Sequence, residues 1–232
     1  MLKILKYQDL HTEPRLRDSM FRDRAAQFVQ RLGWDIHLTK DGLEVDAYDD
    51  EEALYLVAHD AFGCHLASMR LRSMVGRTLL GDVFPGFMHH VIIAEDFWES
   101  TRFCVAPQGG AQGAARVLLA GQMLGLAQGL SGAWGIYDAK MTRVYRRLGW
   151  SPEPVTEADD PSGRIRLGCW RFSHASADKL HAVAGLGPRL SKFWMDRALA
   201  HVPIFTPSSS AARQGQLIKD PDAVFRRSGN GL

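Results

Sequence analysis

What constrains this chain most is one continuous stretch. It runs through Trp98-Glu-Ser-Thr-Arg-Phe-Cys-Val, Pro107, the glycine-rich Gln108-Gly-Gly-Ala-Gln-Gly, and the Ala-, Leu- and Met-rich residues Ala114 to Gln128. The first part reads as a strand ended by proline and the last as a strong helix, with the glycines as the turn that folds one onto the other. A helix laid on a sheet covers only one of its faces, so the other needs a layer of its own.

The flanking sequence offers the pieces. Leu16, Met20, Phe21, Phe28 and Leu32 recur at helical spacing over Arg15 to Leu32, with Gly33 as the stop. Leu54 to His59 and His65 to Arg72 read as two strands joined by a tight turn at Gly63, and Arg70 falls late in the second. Val91 to Ala94 suggests a short extended piece, Ala133 to Tyr137 a strand, Lys140 to Leu148 a basic helix, and Arg164 to Phe172 the last strand of the main sheet. One more helix is expected from His174 to about His201. The alternation predicts an α/β sandwich, one domain over residues 1–202. A Pro-, Ser- and Gly-containing tail, residues 203–232, is expected to be loosely ordered or partner-dependent.

Composition works by exclusion. With 28 basic against 26 acidic side chains and a formal charge of +2, the chain is too balanced to neutralise phosphates along a whole face. No nucleic acid is expected, and any basic patch is local. Cys64, Cys104 and Cys169 are odd in number and widely spaced, which fits neither a disulfide framework nor a zinc site. The adjacent His89 and His90 cannot easily face one ion from a strand, and no acidic residue is spaced to complete a set, so no metal is expected. The amino terminus lacks an apolar signal region and no run is long enough to span a membrane; a cytoplasmic protein is expected.

The informative pattern is an ordered set: Arg24-x-x-x-Phe28, Leu32-Gly-Trp34, Glu44-x-Asp46-x-x-Asp49, Met69-Arg70-Leu71, Val83-Phe84-Pro85 and Trp98-Glu99-x-x-Arg102-Phe103. Each piece alone is common. Phe28 by itself reads as the core face of a helix, and Asp46 and Asp49 as part of a solvated acidic run. Together, in this order and with these gaps, they resemble the LuxI-type acyl-homoserine-lactone synthases from about residue 5 to residue 175.

That resemblance implies a three-layer αβα sandwich with a mixed, splayed central sheet like that of GCN5-type N-acetyltransferases. It also implies quorum-sensing signal synthesis: acylation of the amine of S-adenosylmethionine from an acyl thioester, carried on acyl carrier protein or coenzyme A, followed by lactonisation that releases methylthioadenosine. S-Adenosylmethionine is then a substrate, and no cofactor is expected.

The residue types suit this chemistry. Trp34 and Phe28 offer ring faces to a sulfonium or an adenine, and Asp46 and Asp49 either hold the amine or pair with Arg24. Arg70 bridges the acidic residues and the donor side. The amine must be neutral to attack, and an α-amino group has a pKa of about 7.7 to 8.0, so a base need help only modestly. Glu99 is the candidate base and Arg102 its partner. Three residues apart in a regular strand, these two point to opposite faces, so a shared site requires a β-bulge near Ser100-Thr101. The plainer reading of Arg102 is that it braces Asp46 or Asp49.

On the donor side, Phe84, Tyr137, Met141 and Tyr145 are candidates for the acyl pocket. The turn at Gly109, Gly110, Gln112 and Gly113, ahead of a helix, is a candidate for a phosphopantetheine phosphate. It departs from the usual acetyltransferase loop, with Ala111 where that loop has glycine. Lys140, Arg143, Arg146 and Arg147 form a compact basic patch for an acidic carrier. Two other readings remain open at this level: an N-acyltransferase of the same fold using coenzyme A thioesters, and a non-enzymatic module that binds carrier protein.

Overall fold

The computed structural model describes residues 1–155 and 164–200. The expected tail, 203–232, lies outside the described residues, as does the last part of the expected helix up to His201.

Seven strands form one sheet: β1 (Leu2–Lys6), β2 (Leu54–His59), β3 (His65–Ser73), β4 (Phe97–Val105), β5 (Gly132–Asp138), β6 (Glu153–Pro154) and β7 (Ile165–Arg171). Their order is β1-β2-β3-β4-β5-β7-β6, with β4 and β5 parallel and all other neighbours antiparallel. Among the described residues the α-helices are α1 (Pro14–Arg24), α2 (Leu79–Val83), α3 (Gly110–Ala127), α4 (Met141–Leu148), α5 (His174–Ala184) and α6 (Pro188–Leu199).

Strand periodicity sorts the layers. Leu54, Leu56 and Ala58 of β2 and Ala67, Met69 and Leu71 of β3 pack against α3 with Leu118, Leu119 and Leu124, and α5 joins the same cluster through Leu180. The alternate residues Tyr55 and Val57 face the other way, against Leu16, Met20 and Phe21 of α1. A mixed sheet with helices on both faces is the αβα sandwich the sequence predicts.

Two departures from regularity position the site. First, β4 and β5 pair only from Phe97 to Glu99 and from Gly132 to Trp134, after which the strands part. Second, β4 bulges. Ser68 lies opposite Cys104 and Arg70 opposite Thr101, so Met69 alone faces both Arg102 and Phe103. The bulge falls just after the expected position, and Arg102 adopts a φ of 53°, the one positive φ among the described non-glycine residues.

Several expected boundaries need correction. Helix α1 stops being α-helical at Arg24 and continues as a π-helix, Ala25–Arg31, with Leu32 N–H donating to Gln27 O at 3.1 Å. The expected single helix after His174 is two, because Gly185 takes a left-handed φ of 62° and Pro188 opens α6. Val91 to Ala94 joins no strand of the sheet. The glycine-rich turn is shorter than expected: α3 begins at Gly110 and takes in Gln112 and Gly113. Gly109 has a packing reason, since a Cβ there would lie 2.0 Å from the carbonyl oxygen of Leu66.

Candidate active site

On the α1 side of the sheet three guanidiniums and three carboxylates interlock. Arg24, from the end of α1, donates to both oxygens of Asp49 at 2.9 Å and through Nε to Glu44. Arg70, on β3, donates to Asp46, to Asp49 Oδ1 at 2.8 Å and through Nε to Thr101 Oγ1 at 3.1 Å. Arg102 reaches the same cluster because the bulge turns it there, with Nε 3.1 Å from Glu44 Oε1 and a terminal nitrogen 2.8 Å from Asp46 Oδ2.

Asp49 is the centre of this lattice. It also accepts the Tyr55 hydroxyl at 2.6 Å and the backbone N–H of Asp46 at 2.8 Å. Burial pushes its carboxyl up, but Arg24 and Arg70 outweigh that and hold it well below the usual carboxylate range. Asp46 follows the same logic: burial raises it, and Arg102 and Arg70 bring the net shift downward. Its side chain keeps 14% exposure, whereas those of Asp49 and Glu44 have none.

Beside this platform, where β4 leaves β5, lies a cavity of about 380 Å³. Phe28 and Trp34 form one wall, stacked with centroids 4.7 Å apart and planes 18° from parallel. Arg102 sits over the Phe28 ring at 5.6 Å from its centroid. The π-helix sets this wall: Trp34 N–H donates to Phe28 O at 2.9 Å, folding the chain end back beside Phe28. From the same π-helix, Gln27 serves the β4 backbone, donating to Phe103 O at 3.0 Å and accepting from Val105 N–H at 3.1 Å.

Glu99 lines the cavity with Thr101 and Arg102, yet is 1% exposed. Its two oxygens accept the backbone N–H groups of Leu79, at 3.1 Å, and Leu80, at 2.6 Å, so it caps the first turn of α2. Burial raises its pKa, against the Leu80 N–H, Arg70 and the Leu79 N–H. The result is a carboxylate more basic than an ordinary glutamate, held at the wall of the cavity.

A profile of the autoinducer synthase family matches residues 8–167. The acyl-homoserine-lactone synthase of Rhizobium etli is 38% identical over 190 residues, which cover 78% of this chain and 89% of that protein. The chain belongs to the autoinducer synthase family. It is therefore an enzyme of the acyl-homoserine-lactone synthase type. The synthase of Ralstonia solanacearum is 31% identical over 153 residues, covering 62% of this chain and 75% of that one. Among solved structures, the fold matches a CoA-dependent acyl-homoserine lactone synthase, BjaI, described with SAM and isopentyl-CoA. The TM-score is 0.70 at 22% identity, over 86% of this chain and 99% of that chain.

The structure of this synthase brings most of the sequence-derived site residues together. Glu99, Arg102, Phe28 and Trp34 line the large cavity, and so do Phe84, Tyr137, Met141 and Tyr145. Arg24, Asp46, Asp49 and Arg70 form the platform behind it. Asp49 is saturated by protein donors and cannot also hold an amine, so the pairing with Arg24 is the reading that stands. Of the glycine turn, Gly113 is buried in α3, and none of Gly109, Gly110, Gln112 and Gly113 lines the large cavity. Arg143, Arg146 and Arg147 are exposed on α4, while Lys140, also exposed, reaches the cavity rim.

Sequence reasoning missed Glu44 as a site residue, together with Tyr55, Thr101, Gln27 and the N–H groups of α2. The charge count held a signal for Glu44. Arg24, Arg70 and Arg102 outnumber Asp46 and Asp49, and burying all three requires one more carboxylate.

Proposed function

We propose that this synthase acylates the α-amine of S-adenosylmethionine from an acyl thioester in the 380 Å³ cavity, then closes the lactone. The observation that carries this is the shared wall: Glu99, Arg102 and the Phe28–Trp34 stack face the same space, and that space continues into an apolar split between β4 and β5. The Phe28 and Trp34 rings flank the cationic acceptor. Arg102 is the platform residue that borders the acceptor space, and Asp46 with the rest of the platform holds it in register.

Glu99 takes the proton as the amine nitrogen attacks the thioester carbonyl; the C–N bond forms, the C–S bond breaks with its electron pair going to sulfur, and the departing thiolate takes up that proton and leaves as the thiol. In the second step the substrate carboxylate attacks the carbon bearing the sulfonium. The C–O bond closes the ring as the C–S bond breaks, and methylthioadenosine departs with the electron pair. S-Adenosylmethionine is consumed as a substrate.

The acyl chain enters past Phe84, Tyr137, Met141 and Tyr145. The exposed Arg143, Arg146 and Arg147 on α4, with Lys140 at the cavity rim, favour an acidic acyl carrier protein as the donor's carrier. A second reading, coenzyme A as carrier, draws on the fold match to synthases described as CoA-dependent. Purified protein given S-adenosylmethionine and acyl thioesters of both kinds should release methylthioadenosine and lactone in equal amounts. Release with neither would overturn the reaction, and the preferred carrier decides between the two donors.

A further inference from the structure

Where β5 parts from β4, backbone groups of β4 lose their strand partner, and one side chain takes the strand's place. Pairing with β5 ends at Glu99, although β4 runs on to Val105. On the other edge, Ala106 N–H donates to Leu66 O of β3 at 2.9 Å. Peptide groups alternate sides along a strand, so the C=O of Phe103 and the N–H of Val105 turn away from β3, toward the split. The side-chain amide of Gln27 meets both of them there. Its Nε2 donates to Phe103 O at 3.0 Å, and its Oε1 accepts from Val105 N–H at 3.1 Å. An amide that bonds alternate residues of one strand edge reproduces what a neighbouring strand would offer.

Gln27 is itself held from both sides. Arg24, just before it, is locked to Asp49 and Glu44, and Phe28, the next residue, stacks on Trp34. It belongs to the π-helix Ala25–Arg31, a wider turn often found at functional sites. The stretch of β4 that it grips begins directly after Arg102. A φ of 53° at Arg102 persists in a non-glycine residue only where the surroundings over-determine it. On the β3 side the register is loose at this point, with Met69 facing two residues. The Gln27 bonds supply the second constraint.

Resting on the acyl-transfer reading above, we propose that Gln27 is a positioning residue for Arg102. Standing in for the absent strand, it holds the bulge in the form that aims the Arg102 guanidinium at Glu44, Asp46 and the large cavity. Gln27 borders that cavity, yet each end of its amide already bonds a backbone group, so it acts through β4 rather than on the substrate. The plainer reading is a staple that only stabilises the fold, since buried backbone groups need partners. The two differ in whether the loss of Gln27 is felt through Arg102.

The test is a double-mutant cycle on the full chain, with S-adenosylmethionine as acceptor and a series of acyl thioesters of coenzyme A and of acyl carrier protein as donors. The fastest donor is carried through the cycle. Gln27→Met keeps an unbranched side chain of similar length and removes the amide, and Arg102→Lys keeps the charge but loses the planar fork. Methylthioadenosine release gives kcat/KM for the wild type, each single variant and the double variant. Gln27→Met alone should lower kcat/KM by about ten- to a hundredfold, and the same change made in Arg102→Lys should cost less than about threefold, because the group it positions is gone. Should Gln27→Met not fold, Gln27→Asn takes its place, polar still but a methylene too short to span both backbone groups. A Gln27 variant with wild-type kcat/KM, or one whose loss is the same in both backgrounds, overturns the positioning role and leaves the synthase reading intact. No release by the wild type with any thioester overturns both.

Discussion

Replacing Asp49 by asparagine tests the platform at its centre. The carboxylate accepts two bonds from Arg24, one from Arg70, one from the Tyr55 hydroxyl and one from the Asp46 N–H. An amide in its place keeps one acceptor and turns its NH₂ toward groups that are all donors, and it leaves two buried guanidiniums with one carboxylate fewer. Removing one partner of a buried ion pair costs about 3 to 5 kcal/mol, which in a domain of this size lowers Tm by about 6 to 20 °C. The acid dependence gives a second signature. The folded carboxyl is held far below an unfolded value of about 3.9, so its stabilisation is fully present above that pH and declines as pH falls below it. The stability gap between wild type and Asp49→Asn should therefore narrow by about 1.4 kcal/mol per pH unit below about 4. Urea unfolding followed by tryptophan fluorescence measures both. A variant within about 1 kcal/mol of wild type at neutral pH, or a gap that stays constant into acid, would refute the reasoning.

Other substitutions separate structure from chemistry. Tyr55→Phe removes one bond to Asp49 and should cost about 1 to 3 kcal/mol in urea unfolding, with kcat close to wild type. Reversing charge at Arg143 and Arg147 should raise KM for a carrier-bound donor several-fold and flatten its salt dependence, with little change for coenzyme A thioesters; equal effects on both donors would refute docking at α4. Met141→Trp narrows the cavity wall and should shift kcat/KM toward shorter acyl chains. The kcat/KM profile should rise with pH through a limb above the ordinary glutamate range, because burial raises Glu99 and the base must be ionised. That limb should be missing in Glu99→Gln.

The layers were legible because period two in Leu54 to Ala58 and helical spacing in α1 are properties of the chain itself. The bulge followed from parity: Glu99 and Arg102 share one face of β4 only if a residue is inserted, and the left-handed Arg102 supplies it. What stayed hidden depends on partners distant in sequence. Helix α2 has five residues, too few for periodicity, and its start is fixed by the Thr78 side chain and by Glu99 from another element. The π-helix preserves the apolar spacing of an ordinary helix while moving Gln27 and Phe28 toward β4. Glu44 sat inside an acidic run that reads as solvated surface; the charge count asks for one more buried carboxylate, but which one is fixed by the ion pairs that Arg24 and Arg102 make with Glu44.

The most direct test of the account is the turnover of Glu99→Gln beside that of wild type, with lactone and methylthioadenosine quantified by mass spectrometry and S-adenosylmethionine binding measured by calorimetry. Glu99 should matter to proton transfer more than to acceptor binding. Wild type should form both products, and the variant should bind S-adenosylmethionine with similar affinity while kcat falls about a hundredfold or more. A Glu99→Gln enzyme that turns over within a few-fold of wild type would contradict the assignment of the base, and a wild type that forms no lactone from any acyl thioester would contradict the reaction itself.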